Sequence, residues 1–256
     1  MHFFLPTASF LIGLLAGFAG GIFGIGGAAL TLPLFHVVLG LGGNVAIATA
    51  LPLTIPTALS GAWTYLRHGL LKKRTILVCA IAGSLFSILG ALFTGMFSSL
   101  ALMLATGFLF VFLAFAIRSQ KPLPKIEKVC TLREKVARTA GIGAISGFIS
   151  GFFGIGGGPI LVPLLAYARQ IPLKKAIPCS LAIIGIYAIP GSIAHYFLGN
   201  IDLAVFVPAA FGTIIGAQIG ARMSIGIKEA RMKRLFSLLL FLLGATLIIN
   251  ELLHLL

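Results

Sequence analysis

Two glycine clusters carry the chemistry that this sequence offers. Gly24, Gly26 and Gly27 belong to Phe-Gly-Ile-Gly-Gly, and Gly154, Gly156, Gly157 and Gly158 to Phe-Gly-Ile-Gly-Gly-Gly, each inside a long apolar block. A glycine weakens a helix by roughly 1 kcal/mol relative to alanine, so such clusters predict local unwinding. The helix that resumes after the break presents free N–H groups and the positive end of its dipole, and the missing Cβ lets an anion approach closely. Pro159 suits the first turn of a resumed helix. Unwound backbone in an apolar medium is tolerated only where protein or a water-filled cavity satisfies it. The chemistry expected is capture of a small anion by backbone amides.

Hydroxyls stand close by in sequence. Thr49 and Cys179-Ser180 occupy matching places early in the next apolar segment of each half, and Thr49 and Ser180 are the hydroxyls they offer. They either donate to substrate oxygens or bond to their own helix backbone near the prolines, and both readings stay open. Thr54, Thr57 and Ser60 follow Thr49 and rank behind it. Tyr65 and His195 are equivalent under a shift of 195 − 65 = 130 residues. They read as a gate on an anion path or as interfacial rings at the membrane boundary. Gln218 and Arg222 are one helical turn apart, and Arg222 either lines an exit or snorkels to the surface.

Several chemistries are excluded. The acids are Glu127, Glu134, Asp202, Glu229 and Glu251, none expected at mid-membrane, where proton and cation carriers keep carboxylates. Cys79, Cys130 and Cys179 have no metal-ligand or redox spacing, so no metal or other cofactor is expected. No Walker motif is present. Ser192 and His195 share a helical face but lack an orienting third group, which leaves a membrane hydrolase without a catalytic set.

The elements that must position these groups are membrane helices. Of the 256 residues, 59% are hydrophobic and 9% charged, whereas a soluble domain carries about a quarter charged. Phe3–Leu41, Thr75–Ile117 and Thr139–Ala168 contain no Asp, Glu, Lys or Arg, and a crossing takes roughly 20 apolar residues. The net charge of +14 lies in short connectors, as the positive-inside rule produces, with no groove-reading element for nucleic acid. The partners expected are the lipid bilayer and a small anionic substrate, with no nucleic acid. The Met1–Leu5 start lacks the basic region of a cleaved signal peptide.

The 130-residue shift recurs without gaps. It pairs Gly13 with Gly143, Gly17-Phe18 with Gly147-Phe148, Pro33-Leu34 with Pro163-Leu164, Gly61 with Gly191 and Gly90-Ala91 with Gly220-Ala221. This implies an internal duplication. Residues 1–118 form repeat 1, 119–138 a basic cytoplasmic linker with a short surface helix from about Leu132, and 139–256 repeat 2. Three spans follow each glycine block, near Val45–Leu66, Thr75–Phe97 and Ala101–Ile117, then Ala176–Leu198, Leu203–Ile225 and Leu235–Leu253. The stripes Gly13/Gly17/Gly21, Gly143/Gly147/Gly151 and Gly212/Gly216/Gly220 have the spacing of close helix packing.

Both flanks of Thr139–Ala168 are basic, so the block should enter and return on the cytoplasmic side. Three full crossings per half then turn the second half upside down. The fold expected is an all-α integral membrane protein of two inverted homologous repeats, each a glycine-broken re-entrant helix pair plus three transmembrane helices. The rival is eight plain spans with parallel halves.

Gly17-Phe18 through Gly24-Ile25-Gly26-Gly27 with Pro33-Leu34, repeated at Gly147-Phe148 through Gly154–Gly158 with Pro163-Leu164, resembles the TauE/SafE sulfite exporter family. The likeness runs from about Leu11 to Leu253. Family members often show a Thr-Ser pair after an alanine, where this chain has Ala48-Thr49-Ala50 and Pro178-Cys179-Ser180. The resemblance implies a non-enzymatic secondary transporter that moves sulfite, organosulfonates or related sulfur-containing anions, often outward, across the bacterial cytoplasmic (inner) membrane. It implies alternating access around the two glycine breaks, with Thr49 and Ser180 assisting the amides. An anion channel, or a membrane protein without carrier activity, is the alternative.

Overall fold

The glycine stripes decide which helices can touch. A Cβ on Gly13, Gly17 or Gly21 would overlap the backbone carbonyl of Ala209, Thr213 or Ala217, and one on Gly212, Gly216 or Gly220 would overlap the carbonyl of Phe10, Leu14 or Phe18. Two glycine faces therefore lock at backbone contact, which larger residues would forbid. Gly143, Gly147 and Gly151 meet the carbonyls of Cys79, Gly83 and Ser87 in the same manner.

The computed structural model describes residues 4–119 and 132–253. Among these, all regular structure is helical. The helices are α1 (Phe4–Phe23), α2 (Ala28–Val37), α3 (Gly43–Arg67), α4 (Lys73–Thr94), α5 (Ser99–Ser119), α6 (Leu132–Phe153), α7 (Gly158–Tyr167), α8 (Leu173–Phe197), α9 (Leu203–Gly226) and α10 (Glu229–Leu253). Eight of them are long and apolar enough to cross a bilayer, and the chain is a multi-pass membrane protein. Only α2 and α7, at 10 residues each, are too short; at about 1.5 Å per residue each covers half the hydrocarbon depth.

The second-half helices α7, α8, α9 and α10 begin 130 residues after α2, α3, α4 and α5 (158 − 28, 173 − 43, 203 − 73, 229 − 99). The helix expected from about Leu132 begins there but does not stop at the surface: α6 runs unbroken to Phe153. No glycine or proline interrupts Leu132–Ala140, and Arg133, Lys135 and Arg138 are long enough to reach water from its first turns. Residues 120–131 of the linker, with Cys130 and Glu127, lie outside the described residues.

Helix directions follow from the contacts. The pairs 13/209, 17/213 and 21/217 rise together, so α1 and α9 run parallel. The pairs 143/79, 147/83 and 151/87 do the same for α6 and α4. Gly61 meets Leu181, Gly185 meets Ala58 and Gly191 meets Leu51, so α3 and α8 are antiparallel. These two are the most enclosed spans, with 72% and 67% of their apolar windows buried. They form the centre on which the short helices are mounted.

Candidate functional site

Gly24 and Gly26 adopt φ +69° and +76°, and Gly154, Gly156 and Gly157 adopt +65°, +75° and +64°. A side chain in this left-handed region costs roughly 1–2 kcal/mol per residue, so the glycines permit the chain to leave α1 and α6 and restart as α2 and α7. Space restricts the positions further: a Cβ on Gly156 would lie 2.8 Å from Thr54 Oγ1 and 3.4 Å from the Ile25 carbonyl oxygen. A Cβ on Gly158 would overlap Ile25. The two breaks therefore touch, at the middle of α3.

Each restarted helix has an uncapped N-terminus. Gly27 caps α2 and Gly157 caps α7 with no side-chain hydrogen bond, and Pro159 opens α7. The first carbonyl engaged is that of Gly27, which accepts from Leu30 and Thr31 at 3.2 and 3.1 Å. Gly157 accepts from Ile160 and Leu161 at 3.2 and 2.9 Å. Among the described residues no acceptor takes the amides of Gly26, Gly27, Ala28 and Ala29, or those of Gly156, Gly157 and Gly158. Converging free amides at two dipole ends favour an anion.

Side chains hold the carbonyl side of each break. Ser180 Oγ donates to the Gly24 carbonyl at 2.9 Å, and Tyr187 Oη to that of Gly156 at 3.0 Å. Tyr65 Oη donates to the Gly21 carbonyl at 2.7 Å. His195 Nε2 donates to the Gly151 carbonyl at 3.0 Å. Tyr65/Gly21 and His195/Gly151 are the same contact displaced by 130 residues, in which a ring at the end of one span steadies the last turn before the break. Ser180 and Tyr187 thus occupy one carbonyl of each break.

Thr54, ranked behind Thr49 from the sequence, is the hydroxyl that stands at the breaks. It is fully buried, its Oγ1 has no partner, and it lies against both Gly26 and Gly156. A buried hydroxyl left unpaired costs about 1–3 kcal/mol, which makes it conspicuous. The residue 130 positions further on is Ile184, whose Cδ1 also packs on Gly26. The sequence signal was available in principle: Thr54 is the hydroxyl-bearing position midway along α3, whereas Thr49 lies one and a half turns nearer its start.

The remaining expected residues fall elsewhere. Thr49 Oγ1 accepts the Asp202 amide of the α8–α9 connector at 3.0 Å. The Cys179 thiol accepts the Lys72 amide at 3.2 Å in the equivalent place. Gln218 and Arg222 are exposed on the outward side of α9. Ser192 Oγ and His195 Nδ1 have no partner and so are not bonded to each other.

A cavity of about 120 Å³ is lined by Tyr65, Leu70, Lys174, Ile177, Ser224 and Glu229, among others. Ile177 also packs on Gly24, so the cavity ends one side chain from the first break. On the opposite side of the second break stand buried hydroxyls without partners, Ser150, Ser87 and Ser192. Ser87 touches Gly191, and its carbonyl touches Gly151.

The family "Sulfite exporter TauE/SafE" matches residues 9–247, which takes in both breaks, α2 to α9 whole and most of α1 and α10. The chain belongs to the TauE/SafE sulfite exporter family. Among TauE/SafE relatives, a probable membrane transporter protein of Xylella fastidiosa (strain 9a5c) is 27% identical over 88% of both chains. The probable membrane transporter protein YunE of Bacillus subtilis is 24% identical over 93% of this chain and 95% of its own. The probable membrane transporter protein MJ0441 of Methanocaldococcus jannaschii is 27% identical over 91% and 92%. No solved structure matches. As a TauE/SafE member the chain is a membrane transporter.

Proposed function

We propose that this TauE/SafE protein is a secondary carrier of sulfite, an organosulfonate or a related small sulfur-containing anion, exporting it by alternating access across the bacterial inner membrane. The observation that carries the reading is the fully buried Thr54 hydroxyl, without a partner, set between two glycine breaks whose amides are also free. An anion with several oxygens fits convergent N–H and O–H donors, each bond being strengthened by the charge. No lysine or arginine stands among Gly24–Gly27, Thr54 and Gly154–Gly158. Neutral dipoles bind an anion while still letting it leave, as passage requires. Ser180 shapes this site through the Gly24 carbonyl.

The topology proposed is a pair of inverted repeats with re-entrant hairpins, residues 1–118 and 139–256. Three contacts support it. With α1 and α9 parallel, α3 antiparallel to α8, and α6 parallel to α4, helices α1, α3, α5 and α9 run one way and α4, α6, α8 and α10 the other. Both α1 and α3 then point the same way, so α2 returns part-way, and α6, α7 and α8 repeat the pattern reversed. This puts Arg67–Lys73, Arg169–Lys175 and Lys228 at one end, the cytoplasmic one by their charge. The cavity beside Ile177 is then an inward vestibule, and Ser150, Ser87, Ser192 and His195 line the way out. Rocking one break against the other exchanges access.

The test is flux in proteoliposomes. Saturable movement of sulfite, sulfoacetate or thiosulfate, with chloride poorly handled, is the expected result. Unsaturable conductance would favour an anion channel, and no flux of any sulfur oxyanion would overturn the reading.

A further inference from the structure

The sequence places no acid at mid-membrane, yet the structure buries Glu251 near the end of α10, 5% exposed. Its Oε1 meets His36 Nε2 of α2 in a short contact. The other ring nitrogen, His36 Nδ1, lies 2.7 Å from the Leu41 carbonyl oxygen. Proton counting makes this arrangement informative. A carbonyl only accepts, so Nδ1 carries hydrogen. The Nε2···Oε1 contact also needs one hydrogen, on either atom. Neutral imidazole with a carboxylate supplies one hydrogen in all, and the geometry requires two. The pair therefore holds one proton taken from solution. When that proton leaves, one of the two contacts must become acceptor against acceptor and break.

We infer that His36 and Glu251 form a proton-binding site that latches α2 to α10 and links proton binding to anion binding at the glycine breaks. The linkage rests on the carrier reading above, since α2 bears both ends of it. Its first amides face the anion site and His36 stands eight residues on, about 12 Å away. With the extra proton the pair is neutral overall; without it the pair carries one negative charge. At that distance and an effective dielectric near 20, the charge weakens anion binding roughly tenfold for each unit of charge on the anion. Among the described residues no competing titratable group faces the pair. The rest of α2, all of α1, Val38–Gly42, the Gly43 end of α3 and the Ser99 end of α5 have none. On α10 the nearest is Arg234, 17 residues away, or about 25 Å along the axis.

The experiment has two arms. Hydrogen exchange of residues 28–37 is followed in the unliganded protein from about pH 6 to about pH 8.5, after correction for intrinsic exchange. Protection should fall about tenfold as pH rises. Glu251→Gln should stay protected throughout, because an amide donates to neutral imidazole and accepts from imidazolium. Glu251→Ala should be unprotected throughout. The second arm measures thiosulfate affinity, whose double negative charge is constant over that range: wild type should weaken about a hundredfold with rising pH and Glu251→Gln should not. A flat wild-type exchange profile, or an unchanged step in Glu251→Gln, overturns the proton site. Equal pH dependence of thiosulfate affinity in both proteins overturns the linkage. Loss of all anion binding with the exchange step intact would fault the carrier reading and leave the proton site standing.

Discussion

Replacing Thr54 with valine exchanges a hydroxyl for a methyl group of nearly the same shape. In the unliganded protein Oγ1 has no partner and the residue is fully buried. Removing it therefore breaks no protein contact and relieves a buried polar group whose desolvation costs about 1–3 kcal/mol. In the anion-bound protein the same hydroxyl donates to a charged acceptor, a bond contributing roughly 1.5–3 kcal/mol. At about 1.4 kcal/mol per decade, the variant should bind its anion some 10- to 150-fold more weakly. Stability and affinity thus move apart: Tm in detergent unchanged or a few degrees higher, KM for thiosulfate or sulfite efflux from proteoliposomes up by one to two decades. A KM within about twofold of wild type would refute the placement of the anion beside Thr54. So would a fall in Tm that accounts for the lost activity, since it would make the hydroxyl structural.

Ser180→Ala should show the opposite split. It leaves the Gly24 carbonyl without its 2.9 Å donor, so thermal stability should drop by about 1–3 kcal/mol while KM changes less than in the Thr54 variant. Gly156→Ala forces a side chain to φ +75° and puts its Cβ 2.8 Å from Thr54 Oγ1. With strain of about 1–2 kcal/mol, the protein should still fold, and transport should fall by more than tenfold in the same liposome assay. Gln218→Ala and Arg222→Gln alter exposed side chains of α9 and should leave KM within about twofold; a larger effect would bring α9's outer face into the pathway.

Much of this protein was legible in its sequence because membrane physics writes itself in composition. Blocks without charge give spans, and glycine clusters give breaks, since each depends on local residue type. The packing role of the glycine stripes was equally local: the spacing of Gly13, Gly17 and Gly21 already puts them on one face. What the sequence by itself determined is a helical membrane transporter with two equivalent interruptions. The tertiary structure decided which polar groups those interruptions meet. Thr49 and Thr54 are similar in sequence, but the crossing of α3 and α8 brings Thr54 to both breaks and leaves Thr49 to bind the Asp202 amide. His36 and Glu251 are 215 residues apart, and only the packing of α2 on α10 makes them one buried pair. Burial and partnership are properties of neighbours in space, and no local pattern encodes them.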